Sequence, residues 1–430
     1  MKTPILTLLL CSLLSTFPVL AQNALPDPVQ ARVDQVMPRV VEWRRDIHQH
    51  PELGNREFRT AALIAEHLRS LDLEVHTEIA HTGVVGILRG GQPGPAIALR
   101  ADMDALPVTE EVDLPFASRV RTEFNGQEVG VMHACGHDNH VAILMGTAQV
   151  LAGMREQIAG DIMFIFQPAE EGPPPGEEGG AELMLREGLF ELLRPEAVFG
   201  LHVVPAPVGS IAVRKGGMMA SSDSFRITVH GQQTHGAQPW AGIDPIVVAA
   251  QIVLGLQTIT SRQLNATTTP SIVTVGAING GVRSNIIPET VEMIGTLRTF
   301  DAATREQIHQ RVERTAVQIA ASAGATVDVE IELGYPVTAN DHDLVDRMEP
   351  TLRRVAGDQF GEAALSTGAE DFSYYAQEVP GLFFFLGVAP DDPAMVHPNH
   401  SPRFYADERG LPVGVQAMTA LALDYLGYSP

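Results

Sequence analysis

The sequence predicts an α/β fold in two pieces. A larger body carries a mixed central sheet flanked by helices, and a smaller α+β unit, an antiparallel sheet with two helices, is inserted into it. Three observations carry this reading. At 430 residues the chain exceeds what one ordinary core organises, so two domains are expected. Runs such as Asp161 to Phe166, apolar at every position after the first, read as strands buried on both faces, the pattern of a parallel sheet between helices. From Ser222 the texture changes, and Phe225, Ile227 and Val229 alternate with polar residues as in a half-exposed antiparallel strand. The expected division is residues 22–215 with 332–430 for the body and 216–331 for the insert. A charged share of 19% and a hydrophobic share of 45% suit a soluble globular chain. The net charge of −23 argues against nucleic acid and anionic membrane surfaces as partners.

Residues 1–21 are set aside as a signal peptide. Lys2 supplies a positive start, Ile5 to Leu14 is an apolar run too short to span a membrane, and Val19-Leu20-Ala21 ends on a small residue that suits cleavage. The expected location is a periplasm or the exterior. Cleavage removes Cys11 and leaves Cys135 as the only thiol, which cannot form an internal disulfide and needs burial or a metal in an oxidising compartment.

The elements follow in order. Pro28 to Ser70 holds two amphipathic helical stretches, with His48 and His50 at the junction read as capping or bridging residues. Strands are expected at Leu73 to Thr77, Val84 to Leu88 and Ala96 to Leu99. The last of these runs into Asp102 and Asp104, and polar residues just past a buried strand are where α/β folds build sites. Val131 to His140 then packs His133, Cys135, His137 and His140 into ten residues. If this stretch is extended, Cys135 and His137 face one side, and thiolate with imidazole is the donor set that zinc prefers. A helix from Val141 to Leu151 would place that segment at its N-terminus.

The strand Asp161 to Phe166 leads to Glu170-Glu171, where one carboxylate can ligate a metal while its neighbour serves as a base. The run from Gly172 to Gly180 is expected to be a surface loop with solvated acids. Ala197 to Leu201 ends in His202, a further polar residue at a strand end. The insert reads β-α-β-β-α-β, with helices near Asp244 to Ser261 and Ala303 to Ala321. The body resumes with a helix from Asp343, a strand at Leu382 to Leu386, the His397 to Ser401 segment and a last helix from Tyr405 to Leu426. On these residues alone, Cys135, His137, one of Glu170 and Glu171, His202 and His400 compose one metal site suited to amide hydrolysis.

Eight motifs then fall in the order of a known family: Arg100 to Pro107, His133 to Asp138, Phe166 to Gly172, Gly200 to His202, His235-Gly-Ala, Asn285 to Pro288, Glu370 to Phe372 and Asn399 to Ser401. Together they resemble the N-acyl-amino-acid amidohydrolases of the co-catalytic zinc-exopeptidase clan, the branch of hippurate hydrolases, bacterial aminoacylases and plant hydrolases of auxin conjugates. The resemblance implies a zinc-exopeptidase-like body with the insert as a lid. It implies Cys135, His137, Glu171, His202 and His400 as ligands of two divalent ions, zinc first, with Mn²⁺, Co²⁺ or Ni²⁺ as alternatives. It implies Glu170 as general base, His235 as the lid histidine that meets the substrate carbonyl, and Asn285 as a lid residue that binds substrate. Arg283 and Gly368 are further candidates for the substrate carboxylate. His133 and His140 become supports rather than ligands, and Asp102 stands where relatives outside the branch carry a ligand histidine. The implied substrate is a small N-acyl amino acid, and a homo-oligomer through the insert is compatible with the pattern. A metallo-dipeptidase or carboxypeptidase would use the same metals. A cysteine nucleophile would leave the Glu pair and His400 without work, and a non-catalytic binding protein would need no Glu170.

Overall fold

The computed structural model describes residues 25–429, so the expected signal peptide lies outside the described residues. Two helices open the chain, Asp27–Gln49 and Phe58–Ser70. The first buries Val29, Val33, Val36, Val40, Trp43 and Ile47, a stripe at helical spacing.

An eight-stranded sheet forms the body. Its order is Glu74–Ile79, Gly83–Arg89, Ala159–Gln167, Gln92–Asp102, Ala197–Pro207, Gly381–Ala389, Ile211–Val213 and Phe360–Glu362. The four central strands are mutually parallel, and antiparallel pairs flank them, so the sheet is mixed. Side-chain alternation divides the apolar runs between two cores. Ile162, Phe164 and Phe166 face one core with the helices Asp27–Gln49, His137–Ala152, His342–Ala356 and Leu411–Tyr425. Met163 and Ile165 face the other, with Met184, Phe372, Tyr375 and Phe383. Burying each such side chain contributes roughly 1.5–3 kcal/mol, which is why these strands read as unbroken apolar runs.

The segment between residues 223 and 332 builds its own antiparallel sheet, ordered Ser271–Gly280, Thr290–Thr299, Asp223–His230 and Thr326–Glu332. The helices Pro245–Thr258 and Ala302–Ser322 lie on one face. Phe225, Ile227 and Val229 point to a core shared with Val248, Ile252, Leu256, Ile308 and Val312. Helix Pro245–Thr258, with the turn after it, is apolar enough to cross a membrane by composition. Here its buried side is seated on this sheet, while Ile246, Val247 and Leu254 face outward. A short ribbon, Gly216–Met219 against Thr338–Asn340, joins the insert to the body.

Two local expectations change. The helix after the cysteine begins at His137, not Val141, because Gly136 caps it at φ +94°. A Cβ at Gly136 would meet Val203 Cγ2 at 2.4 Å, so only glycine fits that turn. The last helix begins at Leu411 rather than Tyr405, after Asp407 caps a short 3-10 turn at Glu408–Gly410. The acids of the Gly172–Gly180 loop lie at the surface, as expected, and each meets an arginine there. Glu177 pairs with Arg56 at 2.5 Å, and Glu178 with Arg186 at 2.6 Å.

Candidate metal centre

The cluster sits at the carboxyl end of the parallel strands. Strand Gln92–Asp102 stops at Asp102, and its last pair with the neighbouring strand is Arg100 with Gly200. Ala197–Pro207 runs on past that point, so His202 lies within a strand, not after one, and is left uncovered on that side. Among the overlapping sets of donors that form here are Cys135, His137 and His202; Cys135, Glu171 and His400; and His137, Glu170 and Glu171. Within each set the donor atoms lie within 4.8 Å of one another.

How the chain brings them together differs from the extended-strand reading. Cys135 precedes the left-handed Gly136, and His137 is the first residue of a helix, so a turn rather than a pleat makes them converge. Glu170 and Glu171 likewise lie in a turn, entered through Ala169 at φ +51°, a conformation that costs a non-glycine residue. That turn is held from outside. Glu57, fully buried, accepts from the Ala169 N–H at 2.9 Å and from Thr82 Oγ1 at 2.5 Å, and Asp104 accepts from the Glu171 N–H at 2.9 Å. His400, at φ +68°, is pinned by its own N–H on Ala134 O at 2.8 Å. Asn399 beside it donates to Cys135 O and Val203 O.

The tautomers suit metal binding. His202 donates Nδ1–H to Val203 O at 2.8 Å, which leaves Nε2 a lone pair facing Cys135 Sγ at 3.2 Å. His137 is held through Nδ1 by Asp104 at 3.2 Å, and its buried Nε2 has no hydrogen-bond partner. A carboxylate or carbonyl behind each imidazole, fixing which nitrogen faces inward, is the usual support of a ligand histidine. His140 is different. It accepts from Val203 N–H at Nε2 and donates Nδ1–H to Asp102 at 2.6 Å, so both nitrogens are spent and it is a strut. Asp102 is engaged by His140 and by Arg100 at 2.7 Å. His133 is buried with both ring nitrogens unpartnered, and burial pushes its pKa down to about 3, so it is neutral.

The charge balance of the cluster fits a cation. Burial, then Glu171 and Glu170, push the Cys135 thiol well above its ordinary range. Burial, then Glu370, Glu171 and Asp371, raise Glu170 well above the carboxylate range. Burial alone would lower His137, but Asp102, Asp104 and Glu171 outweigh it and hold it up at about 10. The groups gather protons because too many negative donors share one dry space. Divalent ions would relieve the same excess.

Arg100 was only part of a motif in the sequence, and the structure gives it a task. It is fully buried beneath the cluster and bonds Asp102, Gln167 and Asp371, with Glu370 at 3.0 Å. Glu370 and Asp371 are raised by burial to about 8 and about 6. No sequence signal distinguishes this buried arginine from a surface one, because its partners come from two strand ends and a distant loop. Glu57 and Tyr335 were equally unmarked.

The site candidates on the insert stand apart. His235 pairs with Ile286 across a two-residue ribbon, and Gly236 N–H bonds Asn285 O at 2.8 Å, so His235 and Asn285 are neighbours. Both are exposed, as is Arg283, and among the described residues none of the three bonds a side chain of the cluster. Gly368 is exposed and its carbonyl holds Ala220 N–H at 3.0 Å. His48 bridges Asp138 and Glu110, and His50 bonds Asp46 O, which agrees with their reading as bridges.

Residues 98–424 match the family model described as peptidase family M20/M25/M40. Thermostable carboxypeptidase 2 of Saccharolobus solfataricus is 40% identical, over 91% of this chain and 97% of its own. N-acetyl-L-cysteine deacetylase of Bacillus subtilis is 39% identical, over 87% of this chain and 85% of its own. Among solved structures, the Bacillus subtilis YxeP protein, described as a dinuclear metal binding peptidase, superposes with a TM-score of 0.77. It is 35% identical and covers 92% of this chain and all of its own.

Proposed function

The chain belongs to peptidase family M20, in its amidohydrolase branch, and is a metal-dependent hydrolase; from that premise we propose that it cleaves the amide bond of N-acyl-L-amino acids to a carboxylic acid and a free amino acid. One observation carries the reading. Two donor sets share Cys135, and beside them Glu170 reaches within 3.8 Å of His137 without being needed to complete either. Cys135, His137, Glu171, His202 and His400 would hold two divalent ions, zinc by the softness of the thiolate and imidazole donors. When bound, such ions supply Lewis acidity that lowers the pKa of water and polarises an amide carbonyl.

The chain's own residues do the rest. Glu170 takes the proton from the attacking water and returns it to the leaving nitrogen. His235 donates to the developing oxyanion, and Asn285 holds the substrate, with Arg283 and Gly368 as further carboxylate contacts. Because His235 and Asn285 are carried on the insert, substrate must be met by closure of that lid.

The test is metal analysis coupled to a panel of acetyl, benzoyl and long-chain acyl amino acids beside dipeptides and carboxypeptidase substrates. Turnover of acyl amino acids, lost to chelator and regained with Zn²⁺, Mn²⁺ or Co²⁺, is expected. The carboxypeptidase relative at 40% identity favours a second reading, a metallo-dipeptidase or carboxypeptidase on small peptides, and turnover confined to peptides would select it. We place the mature enzyme in the periplasm or outside the cell after cleavage at Ala21, and N-terminal sequencing of the purified protein tests this. The apolar outward face of the insert, with Leu254 71% and Val282 96% exposed, is where a homo-oligomer would join, and sedimentation velocity measures it.

A further inference from the structure

Two segments cross between body and lid, and they meet at Ser222 and Tyr335. Ser222 N–H donates to Tyr335 O at 3.0 Å, and Tyr335 N–H donates to Ser222 Oγ at 3.0 Å. On the lid side this crossing is clamped by buried Asp223. It accepts from Gly334 N–H at 3.1 Å and from Arg305 Nε at 2.8 Å, while Arg305 donates back to Gly334 O at 2.9 Å. On the body side Thr338 Oγ1 donates to Glu370 O at 2.9 Å. Tyr335 lies between these two anchors. Pro336 follows it and restricts its backbone to extended conformations.

From that crossing the Tyr335 side chain reaches into the body. Its ring meets Tyr374 edge-on at 6.1 Å, and its hydroxyl donates to the backbone oxygen of Glu170 at 2.7 Å. The turn that aims Glu170 is thus held from two directions. Glu57 grips the Ala169 N–H from the body, and Tyr335 grips the Glu170 carbonyl from the hinge. Between the two grips lies Ala169 at φ +51°, a backbone that persists only when its surroundings fix it. Burial and the carboxylates of Asp371 and Glu170 keep the hydroxyl protonated far above the usual phenol range, so it remains a donor at any working pH.

We infer that Tyr335 is a positioning residue that couples the lid to the general base: displacement of the lid about the Ser222–Tyr335 crossing is passed through one hydrogen bond to the peptide that orients Glu170. The inference rests on Glu170 being the base. It gives the enzyme a way to aim its base fully only when the lid stands in the position that meets substrate.

The test uses Tyr335→Phe, which keeps the ring and removes only the hydroxyl. On the best substrate of the panel, kcat is expected to fall roughly tenfold with KM and metal content unchanged, and the melting temperature to fall by no more than the few degrees that one net hydrogen bond is worth. Arg305→Ala, which loosens the lid-side clamp, should lower kcat in the wild-type background and have little further effect in the Tyr335→Phe background. Coupled residues behave this way, and independent ones add. Wild-type kcat in Tyr335→Phe overturns the inference. So does a loss that tracks metal content or melting temperature, and so does simple additivity with Arg305→Ala. Glu170→Gln is the control that separates the two readings. If it keeps full turnover, the base assignment falls and the inference with it. If it is inactive while Tyr335→Phe is not impaired, only the coupling falls.

Discussion

The body and the insert both have apolar cores, but they differ in the polar side chains they bury. The body buries Arg100, Asp102, Asp104, His133, His137, His140, Glu170, Glu370 and Asp371 around one point. Between residues 223 and 332 the buried polar side chains among those described are Asp223 and Thr299. The insert carries large apolar side chains on its surface: Trp240, Leu254 and Val282 are 80%, 71% and 96% exposed. Both regions contribute proposed catalytic groups, yet Glu170 is buried and His235 is exposed. Groups that hold a metal must be fixed before it arrives, so each needs a buried partner, and those partners need partners. A group that meets substrate only on closure needs no such support, because its position is set by the motion of a rigid unit. Polar crowding in one region and its near absence in the other follow from this division.

Four substitutions bear on that contrast. Glu170→Gln keeps the shape and removes the base, so turnover should fall ~10²–10⁴-fold while metal content stays intact. Loss of both, read by metal analysis, would mean that base and ligand have been exchanged. Arg100→Met takes away the cation between Asp102, Glu370 and Asp371. Removing one side of a buried ion pair costs about 3–5 kcal/mol, and urea denaturation of the metal-loaded protein should show a loss of that order. His235→Ala should lower kcat ~10²–10³-fold with no measurable change in melting temperature, since the residue is exposed. A matching loss of stability would tie His235 to the body's kind of construction.

The smallest effect is in pH dependence. Burial, then Asp104, raises Glu57 to about 8 from an ordinary value of 4.5. The native state therefore holds a proton that the unfolded chain releases. The stability this proton confers is complete below about pH 4.5 and is lost as pH rises toward 8. Glu57→Gln, which cannot ionise, should flatten the fall in the urea midpoint between pH 5 and pH 8. An unchanged slope would remove Glu57 as its source.

Legibility in the sequence follows the same division. Central strands were readable because burial on both faces leaves them apolar at every position, as at Ile162 to Phe166. The lid's β-α-β-β-α-β order was readable because its strands alternate, as at Phe225, Ile227 and Val229. The five proposed ligands were legible as residue types that rarely cluster by chance. The geometry that joins them was not, because it depends on Gly136 and Ala169 in left-handed conformations, which no apolar period encodes. His140 illustrates the remaining limit. Its spacing from His137 suits a ligand, the family resemblance alone made it a support, and the two bonds that occupy its nitrogens give the physical reason. Arg100, Glu57 and Tyr335 act through partners distant in sequence, so their tasks appear only once the chain is folded.

The buried thiol of Cys135 has a chemical lifetime as well as a place. Oxidation and alkylation both require thiolate and access. Without metal, burial and two neighbouring carboxylates keep the sulfur protonated and enclosed. With metal bound as proposed, the sulfur's electrons would be engaged in coordination. On the proposed reading, the crowding that would draw a cation in also shields the thiol while the cation is absent, so a freshly folded and exported chain would wait for its metal without being spoiled.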